Sequence, residues 1–537
     1  MAKIVQKFLL PIVSGCVLAL AYPGWFFDFG FLAWLGLVPF FIFLERNSGN
    51  RKMTFWGGAV SGAFFFGITL RFLWGLFPLS TLGVENDFLG FFLILLIYLI
   101  TLSVFASFWG VFSVLADFLI PVGKRFKIIG FLGGPALFST VEYLRSFSLS
   151  IVWFGPGGII GPHWTLSNIT YSLSDNTLIL LLSSAIGIYG IVFGIVLVNY
   201  LLFFLIKKFG KDKFALVNLG LTFLLFLALG FLPFDHQREK EKITVAGIQT
   251  AHQSGLTESS DEILGAYEAQ VRGILKISEE ADSPDLIILP ESSNFLTNTS
   301  KFLDPGRARG YFSGLFPKKP LIISGEISSD QLGNVFSKAT VLDPDKGITA
   351  SYNKRLLTPA GEFLPYILRP VVFLFPKHLI AQFYLERNMT PGSEEVIFDY
   401  NNGIKIKPVI CSDVISPKII RSGDKGILIY LASNSIFHGS GTLNKQNLAM
   451  ARFRAAENQK PLFSTSNMGQ IYALDASGRL ISQVDEPGNG VLTAQLVPND
   501  EKTWYNKFGD WPILIVSGLV LVISVYLRKY RKNGPEN

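Results

Sequence analysis

Apolar runs long enough to cross a hydrocarbon core of about 30 Å fall at roughly 8–27, 30–44, 54–77, 88–120, 128–144, 177–206, 214–234 and 511–527 of this 537-residue chain. Inside lipid a backbone polar group has no water to bond, so such runs are expected to close their own hydrogen bonds as helices. The chain is 50% hydrophobic and only 16% charged, and its 49 Phe are far more than a water-soluble protein of this size needs. The expected fold class is a polytopic α-helical membrane domain of about eight helices joined to one water-soluble domain.

The charges outside the runs are sorted. With Lys3 and Lys7 in the cytoplasm, eight crossings put Arg46, Arg51 and Lys52, then Lys124, Arg125 and Lys127, then Lys207, Lys208, Lys211 and Lys213, and finally Arg528, Lys529, Arg531 and Lys532 on that same face. This is the positive-inside pattern. It divides the chain into a membrane domain at 1–234, an extracytoplasmic domain at 235–508, and a last helix with a basic cytoplasmic tail at 509–537. The soluble stretch holds 29 Lys and Arg against 30 Asp and Glu, so the net charge of +7 comes from the membrane loops. That balance marks orientation and excludes a nucleic-acid footprint.

Only Cys16 and Cys411 are present, at different depths or in different compartments, so the soluble domain has no disulfide framework. Val13-Ser14-Gly15-Cys16 looks like a lipoprotein cleavage box, but the apolar run continues from Val17 to Tyr22 and reads as an uncleaved first helix. A thiol retained on the oxidising side of a membrane points to use, against the alternative of a small buried hydrophobe.

Within the soluble stretch, short apolar runs at 243–249, 286–289, 321–324, 339–342, 404–410, 427–432 and 461–466 read as strands buried on both faces. Residues 259–280 and 443–458 are helical in pattern, and 343–347 is a turn between strands. The order predicts a layered α/β or α+β domain around a sheet core. Polar residues follow three strand ends: Pro290-Glu291 after Leu289, Cys411-Ser412-Asp413 after Ile410, and Ser433-Asn434 after Ala432. Groups just past strand carboxyl ends converge on one crevice. A thiol can take an acyl group, a carboxylate can remove and return its proton, and an ammonium can stabilise thiolate or oxyanion. Glu291, Lys354 and Cys411 therefore suggest covalent acyl chemistry, with the surrounding lipid as a source of the acyl group.

Three blocks, Pro290-Glu291-Ser292, Tyr352-Asn353-Lys354-Arg355 followed by Gly361-Glu362-Phe363-Leu364-Pro365, and Val409-Ile410-Cys411, resemble the Glu, Lys and Cys blocks of the nitrilase superfamily. With the flanking helices, the chain resembles the apolipoprotein N-acyltransferase family of bacterial membranes. The resemblance implies a nitrilase-like αββα sandwich standing on the membrane. It makes Glu291 the general base, Lys354 the oxyanion and thiolate stabiliser, and Cys411 the nucleophile, with Glu362 a further essential glutamate. Asp413 stands where Glu is usual and Ser412 where an aromatic is usual; both are expected to tune substrate contacts, with Asn434 in support. The implied reaction moves a fatty acyl chain from a phospholipid to the amine of a diacylglyceryl-cysteine on a lipoprotein, by a monomer in the inner membrane with its catalytic domain in the periplasm. A membrane-anchored amidase using the same triad is the competing reading.

The five histidines, including His163 and His438, show no metal-ligand spacing, so no metal and no cofactor are expected. Glu142 and Arg145 are expected to pair at i, i+3 on one helix. The apolar stretch at 363–376, with three prolines, reads as a packed loop or as an interfacial arm that guides lipid to the site.

Overall fold

The computed structural model describes residues 2–119 apart from 26 and 28, 127–207, 216–218, 220, 241–253, 259–280, 283–302, 310, 314–372, 377, 388–400, 403–421, 426–484, 488–499 and 501–533. The membrane domain contains α1 (Ala2–Ala21), α2 (Val38–Arg46), α3 (Arg51–Thr69), α4 (Asp87–Leu119), α5 (Lys127–Arg145) and α6 (Thr177–Lys207). Among the described residues, four stretches are long and apolar enough to cross a membrane: Arg51–Leu76, Asp87–Asp117, Thr177–Lys207 and Trp511–Lys529; Gln6–Ala21 is apolar but shorter. The helix expected at 214–234 lies outside the described residues except at 216–218 and 220.

The stretch at 30–44 does not form the single helix expected. It is a 3-10 turn, Gly30–Trp34, followed by α2, whose 9 residues rise only about 13 Å. At the break Gly36 packs closely on α1, since a Cβ there would lie 2.6 Å from Leu18 Cδ2. A broken helix leaves backbone groups that lipid cannot satisfy. Asn199 of α6, fully buried, supplies the missing partners: its Nδ2 donates to Ala33 O at 2.8 Å and its Oδ1 accepts from Leu37 N at 2.8 Å. Ser14 Oγ donates to Gly36 O at 2.6 Å.

The chain nevertheless changes ends of the bundle across this break. Gly24 O accepts from Arg71, and Trp25 O from Lys445 of the soluble domain at 2.6 Å. At the far end Ser48 Oγ donates to Asp117 at 2.6 Å, and Glu45 pairs with Lys207. Deeper in the bundle, Glu142 and Arg145 pair at 2.7 Å as expected, with Trp109 Nε1 donating to Glu142 at 3.0 Å.

The soluble domain is built from two six-stranded sheets. The first holds β1 (Ile243–Gln249), β2 (Leu286–Ile288), β3 (Leu321–Ser329), β4 (Val335–Asp343), β5 (Gly347–Asn353) and β12 (Gly490–Leu496), in the order β12-β1-β2-β3-β4-β5. The second holds β6 (Phe398–Tyr400), β7 (Ile404–Ile410), β8 (Gly426–Ser433), β9 (Leu462–Asn467), β10 (Ile471–Leu474) and β11 (Leu480–Val484), in the order β11-β10-β9-β8-β7-β6. In each the middle three strands are parallel: β1-β2-β3 and β7-β8-β9.

Side-chain alternation divides each central strand between two cores. In β8, Ile427, Ile429 and Leu431 face the core between the sheets, while Leu428, Tyr430 and Ala432 face away. In β2, Leu286 and Ile288 face that inner core, while Ile287 packs with Tyr267 and Ile274 of α7 (Ser260–Glu280) and with Phe295, which opens α8 (Phe295–Phe302). On the second sheet the outer layer is α9 (Gly441–Asn458), whose Leu443, Met450 and Phe453 share one continuous core with the membrane helices. The αββα sandwich thus stands on the bundle through α9. The last helix, α10 (Trp511–Asn533), leaves the domain beside a kink in α6 at Gly187, where φ is 63° and a Cβ would lie 2.5 Å from Tyr505.

Replacing Asn199 by Leu keeps a side chain branched at Cγ and removes both partners of the break at 33–37. Each orphaned backbone group costs about 1–3 kcal/mol, so the purified protein in detergent should lose several degrees of Tm. An unchanged Tm would show that Asn199 does not hold the break.

Candidate active site

The site is assembled from two strand ends, one from each sheet, and the segment that follows β5. Past β2, Leu289-Pro290 leads to Glu291, whose backbone lies hard against β3. A Cβ on Gly325 would sit 2.3 Å from Pro290 O and 2.6 Å from Glu291 Cα, so only glycine permits this approach. Asn294 closes the turn: its N donates to Gly325 O at 2.9 Å and its Oδ1 accepts from Ile327 N at 2.8 Å. From the opposite sheet, β7 ends at Ile410, and Cys411 opens a tight turn with φ 44°. A non-glycine residue in this left-handed region costs about 1–3 kcal/mol; here it redirects the chain at once from strand into turn. The half-buried Cys411 thiol lies beside Glu291 and Lys354, close enough for both to act on its ionisation.

Lys354 follows β5 and is only 1% exposed. Its N donates to Ser337 O at 2.8 Å and its O accepts from Gly392 N at 2.8 Å, so both sides of its backbone are fixed. Its Nζ lies 2.9 Å from Glu291 Oε1 and 2.9 Å from Glu362 Oε1. Glu362 is held in turn, its Oε2 accepting from Thr358 N at 2.7 Å. The structure therefore brings Glu291, Lys354, Glu362 and Cys411 into one cluster.

The electrostatics of the cluster follow from burial and an imbalance of sign. Burial raises the Cys411 pKa far above that of a free thiol, and the neighbouring Glu291 carboxylate adds to this while Lys354 opposes it. Glu291 is also raised, first by burial and then, against the pull of Lys354, by Glu362. Burial alone would discharge Lys354, but Cys411, Glu291 and Glu362 together hold its pKa well above the usual lysine value. The resting cluster is thus a protonated thiol beside a carboxylate and a permanent ammonium. Such a set can deprotonate a thiol as it attacks and can hold an oxyanion.

Residues 244–506 match the carbon-nitrogen hydrolase family, and residues 14–201 match the N-terminal domain of apolipoprotein N-acyltransferase. Over 98% of its length the chain is 24% identical to the apolipoprotein N-acyltransferase of Geobacter metallireducens, spanning 96% of that protein. It is 25% identical to that of Haemophilus influenzae, over 98% of this chain and 95% of the other. The chain belongs to the apolipoprotein N-acyltransferase family. Among solved structures, the carbon-nitrogen hydrolase from Helicobacter pylori G27 is similar at 17% identity and a TM-score of 0.33, covering 54% of this chain and 96% of that one.

Asp413 and Ser412 are both engaged within the chain. Asp413 is fully buried and accepts from Tyr352 Oη at 2.8 Å, Leu356 N at 2.8 Å, Ile410 N at 3.2 Å and Arg355 N at 3.3 Å. Ser412 donates to Leu356 O and accepts from Thr358 Oγ1 at 3.3 Å. Both therefore tie the turn after Cys411 to the segment that carries Lys354. Asn434 binds Asn444 and Asn447 of α9, which places it in the mount of the second sheet and not among the four charged or nucleophilic groups. Sequence reasoning assigned no role to His163, although its Nδ1 shares a 2.9 Å hydrogen bond with Ser416 Oγ at the end of the Cys411 turn.

The apolar stretch after Glu362 begins as packing and then turns outward. Phe363 is buried with Val335, Leu357 and Met389, whereas Tyr366 and Ile367 are about half exposed. Tyr366 N donates to Phe154 O at 2.8 Å, fastening the stretch to the loop after α5. Residues 373–376, including Phe373 and Phe375, lie outside the described residues.

Gly325→Ala tests the close approach beneath Glu291. Its methyl meets the backbone of Pro290, Glu291 and Ser292, so Glu291 must shift by a substantial fraction of an ångström. Displacements of about 1 Å cost on the order of 100-fold in rate, and acyl transfer by the folded variant should fall accordingly; a wild-type rate would mean that Glu291 tolerates displacement.

Proposed function

We propose that this chain moves a fatty acyl chain from a phospholipid to the N-terminal amine of a diacylglyceryl-cysteine on a lipoprotein, by a thioester on Cys411. The observation that carries the mechanism is the buried Lys354 ammonium held 2.9 Å from both Glu291 and Glu362, with the Cys411 thiol beside that cluster.

Glu291 takes the thiol proton as sulfur attacks the ester carbonyl, so a full thiolate need not accumulate in a buried site. The new C–S bond leaves an oxyanion that the Lys354 ammonium stabilises. The C–O bond then breaks, Glu291 returns the proton to the departing alkoxide, and a lysophospholipid leaves. In the second half-reaction the lipoprotein amine attacks the thioester carbonyl. Glu291 takes the amine proton, the C–S bond breaks, and Cys411 recovers its hydrogen. A thioester conserves the reactivity needed to acylate an amine, so no nucleotide is consumed.

The site stands on one end of an apolar bundle, where acyl chains of phospholipids are at hand. The basic groups Arg46, Arg51, Lys52 and Lys207 lie at the helix ends joined by the Ser48–Asp117 and Glu45–Lys207 contacts, opposite the end that bears the soluble domain. This sorting supports a catalytic domain on the periplasmic face of a bacterial inner membrane, with 1–234 and 509–537 forming the membrane part. A reporter-fusion map should place 45–53 and 207–213 inside and 235–508 outside. A cytoplasmic soluble domain would remove lipoprotein maturation as the function.

The roles separate by mutation. Cys411→Ala should abolish the hydroxylamine-sensitive acyl adduct formed from labelled phospholipid. Glu291→Gln should suppress it, lacking both base and proton donor. Lys354→Ala should slow adduct formation by roughly 100- to 1000-fold, as for loss of one oxyanion donor. Cys16→Ala should behave as wild type. Acylation of a diacylglyceryl peptide at the normal rate by folded Cys411→Ala would refute the covalent route.

A further inference from the structure

The turn that carries Cys411 is anchored from two directions. On one side Asp413 and Ser412 tie it to the Lys354 segment. On the other, its far end is held by the membrane domain's loop between α5 and α6. His163 is 5% exposed and its ring Nδ1 lies 2.9 Å from Ser416 Oγ. Ser416 is the residue that ends the turn: its N donates to Asp413 O at 3.0 Å and its Oγ accepts from Ile419 N at 3.2 Å. Two residues further along the loop, Thr165 Oγ1 donates to Ile415 O. With that hydrogen committed, the 2.7 Å bond between Thr165 Oγ1 and Tyr171 Oη has the tyrosine as donor. The last two links of the turn, Ile415 and Ser416, are thus each bonded to the loop.

The loop is stiff enough to serve as an anchor. Trp164 N donates to Ser146 O at 3.1 Å, and Ser150 Oγ donates to Gly161 O at 3.2 Å, so it is pinned to the end of α5 and the residues just after it. A Cβ on Gly161 would lie 2.3 Å from His163 Nε2, which leaves the ring no room to swing toward that residue. Burial first, then Lys418 and Arg355, lower the His163 pKa to about 4, so the ring is neutral at physiological pH. A neutral imidazole and a hydroxyl form one directional bond.

We propose that His163 and Thr165 are positioning residues for the nucleophile: by holding Ser416 and Ile415 they fix the strained turn that presents Cys411 to Glu291, so the membrane domain completes the catalytic centre of the soluble domain. This rests on Cys411 being the nucleophile. Cys411 adopts its left-handed conformation only while both ends of the turn are held, and release of the far end lets the turn relax and draws the thiol out of line. The effect falls on the acylation rate and not on phospholipid binding, because neither side chain reaches the cluster of Glu291, Lys354 and Glu362 through any hydrogen bond in the described residues.

The test uses the full-length protein in nanodiscs of phosphatidylethanolamine and phosphatidylglycerol. It reads the single-turnover rate of thioester formation on Cys411 and the KM for phospholipid in transfer to a diacylglyceryl peptide. His163→Leu should slow acylation about tenfold, the effect of one lost buried bond, at unchanged KM. His163→Asn, which restores a polar group near the Nδ1 position, should return to within about twofold of wild type. Ser416→Ala, which also loses the bond from Ile419 N, should be at least as slow as His163→Leu, and the double variant should be no slower than Ser416→Ala alone. Thr165→Val, which loses the bonds to Ile415 and Tyr171, provides an independent arm with the same expected split between rate and KM. A wild-type acylation rate in folded His163→Leu and Thr165→Val, a loss confined to KM, equal losses in the Leu and Asn variants, or additive losses in the double variant would each overturn the proposal. Transfer that survives in Cys411→Ala would instead refute the nucleophile assignment, so the two failures are distinguishable.

Discussion

The interaction on which the site depends is the burial of one ammonium between two carboxylates. Lys354, 1% exposed, cannot remain charged in such a place without close partners, and Glu291 and Glu362 at 2.9 Å each supply them. The count is deliberately uneven in its consequence: two carboxylates beside one cation leave the cluster short of positive charge. Burial already disfavours a thiolate at Cys411, and the neighbouring carboxylates deepen that effect against the pull of Lys354. The same asymmetry makes Glu362 more than a spectator, since without it the ammonium would be neutralised by Glu291 alone and the base would be weakened.

Much of this cluster was legible because its chemistry sits at strand ends. Continuous apolar strands such as β7 and β8 announce themselves, and the polar residue that interrupts each run marks where the chain leaves the sheet. Edge strands were harder. β6, β11 and β12 are short or half-exposed, with polar residues alternating through them, and local pattern does not separate them from loops. Asp413 stands two residues past Cys411, and nothing local in sequence shows the four donors, from Tyr352, Arg355, Leu356 and Ile410, through which its carboxylate locks two segments together.

The membrane domain shows the same limit from the opposite direction. Hydropathy identifies apolar runs but not the polar groups that let one of them break. Asn199 lies within Val196-Leu197-Val198-Asn199-Tyr200, where it reads as an isolated polar residue in a greasy helix. Its meaning appears only when Ala33 and Leu37 are brought to it across 162 to 166 residues of sequence. His163 is similar: nothing nearby in the chain indicates Ser416, which lies 253 residues away.

These long-range contacts explain why the second sheet, and not the first, faces the membrane. The first sheet covers its outer face with α7 and α8, while the second contributes Val409, Leu428, Tyr430, Leu462 and Tyr472 to a core that runs through α9 into the helices. Cys411 follows directly from β7, an outer member of the parallel trio of that second sheet, so its thiol belongs to the layer bonded to the bundle, and Glu291 and Lys354 to the layer beyond it. The two sheets must then keep a fixed spacing, which the Ile406, Ile410, Ile429 and Leu431 side chains packed against Val245, Leu286 and Ile288 provide.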